Sequence, residues 1–265
     1  MNPQHMICRK WYRELFADNT FDTAFEQLLA DENRSICDTF SDDPAENILT
    51  ALYRCDEVEQ KYQEKGIDRE ILLDTLSDIV VWTYTWYDLT GTFGLKQTGW
   101  INNSLSMKLF KLGRLQFCAD QCETDVPEWG LKKDDAVVDI HIQAGGALTP
   151  EACKASFKKA IAFYDTFYPE YVYSVFTCHS WLLDPTLKQL LPPQSNILAF
   201  QNFFYVTRND VSDAALRYIF CWDAVREKVP EYEAKSKLEQ RIKEHVLAGG
   251  KLYESFGVIK KESVM

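Results

Sequence analysis

The sequence predicts an α+β chain: a helical first part, then a mixed β-sheet flanked by helices. Three observations carry that prediction. Residues 1 to about 95 place their apolar side chains at helical spacing. The stretch LTGTFGLKQTG, Leu89 to Gly99, then concentrates Gly and Thr and marks a shift in composition, which puts a domain boundary near it and divides the chain into 1–95 and 96–265. Finally, Asp134 to Pro193 reads in order as strand, glycine-containing loop, capped helix, strand and second helix, and parallel strands joined through a helix form a right-handed crossover unit.

Phe21, Phe25 and Leu28 begin one amphipathic stripe. Asp43-Pro44 supplies a cap with proline at the first helical position, opening a helix that carries Ile48, Leu52, Cys55, Val58 and Tyr62 on one side and stops at Gly66. The next helix, from Asp68 to about Tyr87, is apolar around much of its circumference, with Leu72, Leu76, Ile79, Thr83 and Trp86 on one stripe. Trp82, Trp86, Trp181 and Trp222 read as core. Leu112 to Phe117 alternates like a strand, and Val137 to Ile142 is a β-branched run that meets Gly145 and Gly146. Thr149, Pro150 and Glu151 then fix a helix start, after which Cys153, Phe157, Ala160, Tyr164 and Phe167 form the packed face and Lys154, Lys158 and Lys159 the wet one. Tyr171 to His179 reads as the next strand, and Asp184-Pro185 as the cap of the helix after it. Ile197 to Val206 and Ala214 to Trp222 read as two strands joined by RNDVSD in a hairpin. Lys235 to Ala248 is a charged amphipathic helix stopped by Gly249-Gly250, and Val258-Ile259 is expected to add an edge strand.

Composition excludes several classes. A net charge of -11 and a pI near 4.9 repel nucleic acid and anionic membrane, so an anionic ligand must be held by a local site. The sequence has no run of 18 apolar residues and its first residues lack the apolar core of a signal peptide, which makes a soluble cytoplasmic protein the expectation. The 8 cysteines read as small buried hydrophobes rather than a disulfide framework. With no C-x-x-C pair, no metal site is expected.

The chemistry-bearing candidates gather around the central crossover. The loop Gln143, Ala144, Gly145, Gly146, Ala147 and Leu148 lies at the carboxyl end of a strand and the start of a helix, where unpaired N–H groups and the helix dipole favour an anion. The bland alternative is that the two glycines only make the turn. Period two places Asp139, His141 and Gln143 on one face of their strand, so Asp139 can orient His141, either as a catalytic base or as a structural pair. His179 ends the next strand as a second candidate base, against a packing role. Cys178 points to the opposite face from His179, so the two cannot form a nucleophile and base dyad. Arg114 and Gln116 share a face and would meet substrate or phosphate, or form a surface salt bridge.

GRLQF from Gly113, HIQAGG followed by LTPEAC from His141, CHSWLLDP from Cys178 and LPPQSNILAFQ from Leu191 resemble a bacterial acyltransferase family that joins a helical N-terminal domain to a GNAT-like C-terminal domain. The resemblance implies a GNAT-like mixed sheet around an acyl-CoA site, with acetyl-CoA or another acyl-CoA as donor and an amine as acceptor. In such enzymes a Q-x-x-G-x-G/A loop binds the pyrophosphate of CoA. Gln143 and Gly146 match that form, and Leu148 stands where the last small residue would be. The pantetheine arm would then lie between the strands Val137–Ile142 and Tyr171–His179. Two functions follow as expectations: an acyl-CoA-dependent N-acyltransferase assisted by His141 or His179, and, as the alternative, a non-catalytic module that binds an acyl-CoA or another small ligand.

Overall fold

A computed structural model describes residues 2–264, and its Cα packing divides the chain into two compact units, Met1–Leu112 and Gly113–Met265. The first unit is built from α1 (Pro3–Leu15), α2 (Asp22–Ala30), α3 (Pro44–Lys65), α4 (Arg69–Thr90) and α5 (Thr98–Leu105), and closes with β1 (Leu109–Leu112). Local chemistry sets its helix ends. Asp43 Oδ1 accepts from the Ala45 amide at 2.8 Å with Pro44 in the first turn, Gly66 terminates α3 in the left-handed region, and Asp68 Oδ1 accepts from the Glu70 amide at 2.8 Å. The expected stripes are the buried ones: Ile48, Leu52, Cys55, Val58 and Tyr62 on α3, and Leu72, Leu76, Ile79 and Thr83 on α4. Each large apolar side chain so buried contributes roughly 1.5–3 kcal/mol. Tyr12 stacks on Phe25 with centroids 4.0 Å apart, and Phe93 stacks on Phe21 at 4.8 Å. The Gly- and Thr-rich stretch therefore contributes Phe93 to this aromatic core, and the Leu95 amide donates to the Pro44 carbonyl at 2.8 Å.

The second unit holds β2 (Leu115–Gln121), β3 (Ala136–His141), α6 (Pro150–Phe167), β4 (Val175–Ser180), α7 (Leu187–Leu190), α8 (Asn196–Gln201), β5 (Tyr205–Val211), α9 (Ala214–Ile219), α10 (Lys237–Leu247) and β6 (Tyr253–Lys260). Its strands run in the order β2-β3-β4-β6-β5, with β3 and β4 parallel and the other neighbours antiparallel. Thr149 Oγ1 accepts from the Ala152 amide at 3.2 Å, so the cap read from sequence starts α6. Cys153, Phe157, Ala160 and Tyr164 are buried, and Phe157 meets Phe176 of β4 at 5.5 Å and Phe117 of β2 at 6.1 Å. The opposite face of the sheet carries a smaller core of Cys122, Val126, Leu131, Val137, Val175, Phe256 and Val258.

Several expectations are corrected. Ile197 to Val206 is not one strand: Ser195 Oγ accepts from the Ile197 amide at 3.2 Å and starts the short helix α8, and the strand β5 begins only at Tyr205. The residues RND, expected in a turn, lie inside β5, and Ala214 onward is helix with its first amide bonded to Ser212 Oγ at 3.1 Å. No hairpin joins these segments, because β5 pairs with β6. β6 is itself an inner strand between β4 and β5 rather than an edge. Leu112 to Phe117 is interrupted by a turn at Gly113, whose φ of 86° ends one strand before the next begins. Trp82, Trp86, Trp181 and Trp222 are half-buried, since rings of that size keep an edge at the surface, while Trp11 is fully enclosed.

Candidate active site

Parallel pairing between β3 and β4 is confined to Val138↔Phe176 and Asp139↔Thr177. Both strands continue beyond it, β3 to His141 and β4 to Ser180. Their outer edges stay paired to the end, β3 with β2 through Gln116↔His141 and β4 with β6 through Ser180↔Ser255. The two strands thus part at their carboxyl ends, and the main-chain groups that face each other there have no ladder to join.

The loop from Gln143 to Leu148 leaves β3 at the same end. Gly145 and Gly146 have φ of 86° and 70°, a conformation that side chains resist, and it turns the chain sharply before Thr149 caps α6. Ala144, Gly145, Gly146 and Ala147 are exposed, whereas Gln143 and Leu148 are buried. The bulky Leu148 side chain is therefore turned inward and leaves the mouth of the loop open. Among the described residues, no carbonyl accepts a hydrogen bond from the amides of Gly145, Gly146, Ala147 or Leu148. Four amides without a carbonyl partner thus lead into an 18-residue helix, whose dipole favours an anion near its start.

On the face of the sheet opposite α6, Asp139 and His141 of β3 stand beside Thr177 and His179 of β4. His141 Nε2 lies 3.1 Å from Asp139 Oδ2, and Thr177 Oγ1 donates to Asp139 Oδ1 at 2.6 Å, so the carboxylate is oriented by one strand and aimed at the imidazole of the other. His179 Nδ1 lies 3.3 Å from Glu123 Oε1. Its Nε2 is enclosed and has no hydrogen-bond partner among the described residues, with Asp210 Oδ2 3.9 Å away. Arg208 of β5 ties this group together, contacting Glu123 at 3.0 Å and Asp210 at 2.6 Å. Burial pulls the Arg208 guanidinium down, but bonds to Asp210 and Glu123 outweigh it and hold its pKa above the ordinary value. Cys178, beside His179 in sequence, is fully buried on the α6 side and its thiol is pushed well up by burial, which removes it as a nucleophile.

All the residues singled out from sequence thus border one end of the sheet, and Asp139 and His141 are in contact. Glu123 and Thr177 escaped sequence reading. Glu123 sits in a turn-rich approach with no histidine near it, and Thr177 is an ordinary strand residue whose partner becomes visible only through the β3–β4 register.

A sheet with two parting parallel strands, an open glycine loop between strand and helix, and imidazoles along the gap defines the second unit as a GNAT-type acyltransferase fold. Family models agree: an N-acyltransferase N-terminal domain matches residues 9–107 and a GNAT-like C-terminal domain matches 109–259. The chain belongs to this N-acyltransferase family. A search of curated proteins finds no relative. Among solved structures it is similar to an acyltransferase in complex with decanoyl-CoA and teicoplanin, at 22% identity and a TM-score of 0.73 over 97% of this chain and 85% of that one. It is also similar to an acyltransferase in complex with CoA and 10C-teicoplanin, at 23% identity and a TM-score of 0.72 over the same shares, 97% and 85%. A further complex, with decanoyl-CoA, aligns at 23% identity and a TM-score of 0.70 over 81% of this chain and 65% of that one, so the chain spans a little less than two thirds of its length. At these identities the likeness is one of fold.

Proposed function

We propose that the chain transfers an acyl group from an acyl-CoA to an amine. The observation that carries this reading is the parting of β3 and β4 beyond Asp139 and Thr177, at the same end as four unpaired loop amides. The gap offers main-chain partners to the amides of a pantetheine arm, and the loop offers N–H groups to a diphosphate. The donor supplies a thioester activated for attack.

His179 takes the proton from the amine, its Nδ1 side steadied by Glu123 and its Nε2 without a hydrogen-bond partner among the described residues. His141, held by Asp139, balances charge near the leaving sulfur and returns a proton to it. As the new C–N bond forms, the C–S bond breaks, and the proton lost by nitrogen is matched by the proton gained by sulfur. The solved complexes with decanoyl-CoA make medium-chain donors the first to try beside acetyl-CoA.

The test is calorimetric titration of the chain with CoA, acetyl-CoA and decanoyl-CoA, repeated on Gly146→Glu, together with thiol release in the presence of a mixed amine panel. Binding that Gly146→Glu abolishes, with turnover on at least one amine, is the expected result. Failure of the unmodified chain to bind any acyl-CoA overturns the proposal. Binding without turnover leaves a ligand-binding module instead.

A further inference from the structure

We propose that Arg114 is a positioning residue of this loop and brings to it the positive charge that the diphosphate of an acyl-CoA meets, an inference that rests on the function proposed above. Arg114 Nη1 donates to the carbonyl of Gln143 at 3.0 Å, the residue that opens the loop. The side chain passes beneath Gly146: a Cβ built there would lie 3.5 Å from Arg114 Nε and 3.6 Å from its Cδ. One end of the guanidinium thus braces the loop, and its stem forms the loop's floor.

The arginine is itself fixed from the helix. Ser156 Oγ, fully buried, accepts from the amides of Arg114 at 2.8 Å and Leu115 at 3.3 Å and donates to the Ala152 carbonyl at 2.9 Å. A Cβ at Gly113 would come 2.9 Å from that oxygen, so a side chain there would lift the turn off α6. Gly113, Arg114 and Ser156 therefore act together to hold a cation under the start of α6.

That cation has no counter-ion. No ion pair among the described residues includes Arg114, nor Arg13, Arg54, Arg217 or Arg241, whereas Arg9, Arg34, Arg69, Arg208 and Arg226 each contact a carboxylate. Its Nε is enclosed with no hydrogen-bond partner, and burial pushes the guanidinium below its ordinary pKa. A half-buried, unpaired charge is costly unless an anion arrives to balance it. The open amides belong to the same loop that Arg114 braces, and a planar fork suits both tasks: one donor to the carbonyl, another to an anion drawn to the loop.

The test compares decanoyl-CoA with decanoyl-pantetheine, which keeps the thioester and the arm but lacks the diphosphate, in the unmodified chain, Arg114→Met and Arg114→Lys. In Arg114→Met the KM for decanoyl-CoA is expected to rise about tenfold, as for loss of one charge-assisted contact. The kcat and the KM for decanoyl-pantetheine should hold. The salt dependence of KM for decanoyl-CoA should flatten, and Arg114→Lys should lie between, with a rise of about threefold for the CoA substrate alone. Equal losses on both substrates, in either variant, assign Arg114 to loop packing only and overturn the inference, as does no loss on decanoyl-CoA. If Arg114→Met does not fold, Arg114→Lys decides on the same criterion. An unmodified chain that neither binds nor uses decanoyl-CoA instead overturns the function itself, and this inference with it.

Discussion

Replacing Gly146 by alanine isolates the backbone of the loop from everything else in the site. The added methyl meets Arg114 at 3.5 Å, an ordinary contact, so no clash is introduced. What changes is the cost of φ at 70°, about 1–2 kcal/mol for a residue with a Cβ. The loop is exposed and its amides are unpaired, so in the free protein it can relax into a commoner conformation at little expense to stability. Binding must then restore the original turn, and the cost moves to affinity: the Kd for CoA should rise about 5- to 30-fold. Gly146→Asn should recover most of that loss, because asparagine tolerates the left-handed region. Titration calorimetry at fixed ionic strength gives the Kd values, and thermal unfolding should place all three proteins within a few degrees. Unchanged CoA affinity in folded Gly146→Ala, or no recovery in Gly146→Asn, would refute the idea that these amides seat the diphosphate.

His179→Ala should lower kcat by about 10²–10⁴ with little change in KM, the loss expected of a missing base, while Asp139→Asn should cost about tenfold by misorienting His141; a stopped thiol-release assay on both variants checks the ranking. Asp43→Ala should destabilise the helical unit by about 1 kcal/mol through loss of the α3 cap. Burial raises the Asp43 carboxyl, but the Ala45 amide and Arg34 outweigh it and hold the pKa below the usual 3.8. A depressed folded value means this contribution is present above 3.8 and is lost as pH falls through the folded pKa, so the gap between wild type and Asp43→Ala should close in acid denaturation.

Sequence reading succeeded where the deciding chemistry is local. Thr149-Pro150-Glu151 fixed the start of α6, Asp43-Pro44 and Asp68 the starts of α3 and α4, and period two along Val137 to Gln143 put Asp139 beside His141. It failed where the answer lies in pairing. Ile197 to Phe200 is apolar enough to read as a strand, and only the serine before it marks a short helix. Arg208, Asn209 and Asp210 look like turn residues, yet they pair with Phe256, Ser255 and Glu254 of a strand far along the chain. The same distance hid Glu123 from His179 and Thr177 from Asp139. A side-chain contact between elements leaves no local pattern of its own.

The gap between β3 and β4 is built in rather than opened on demand. β3 is bound along its other edge by six register pairs with β2, and β4 by six with β6. Closing the gap would require at least one of these strands to shift, and a slip of one residue would reverse every side chain along it. On β3 that slip would turn Val138 and Ile140 out of the core and push Asp139 and His141 into it; on β4 it would expose Phe176 and Cys178. Either slip exposes two core side chains, and the one on β3 also buries an imidazole and a carboxylate, a cost that two or three added ladder bonds do not return. The fold therefore keeps β3 and β4 apart beyond Asp139 and Thr177.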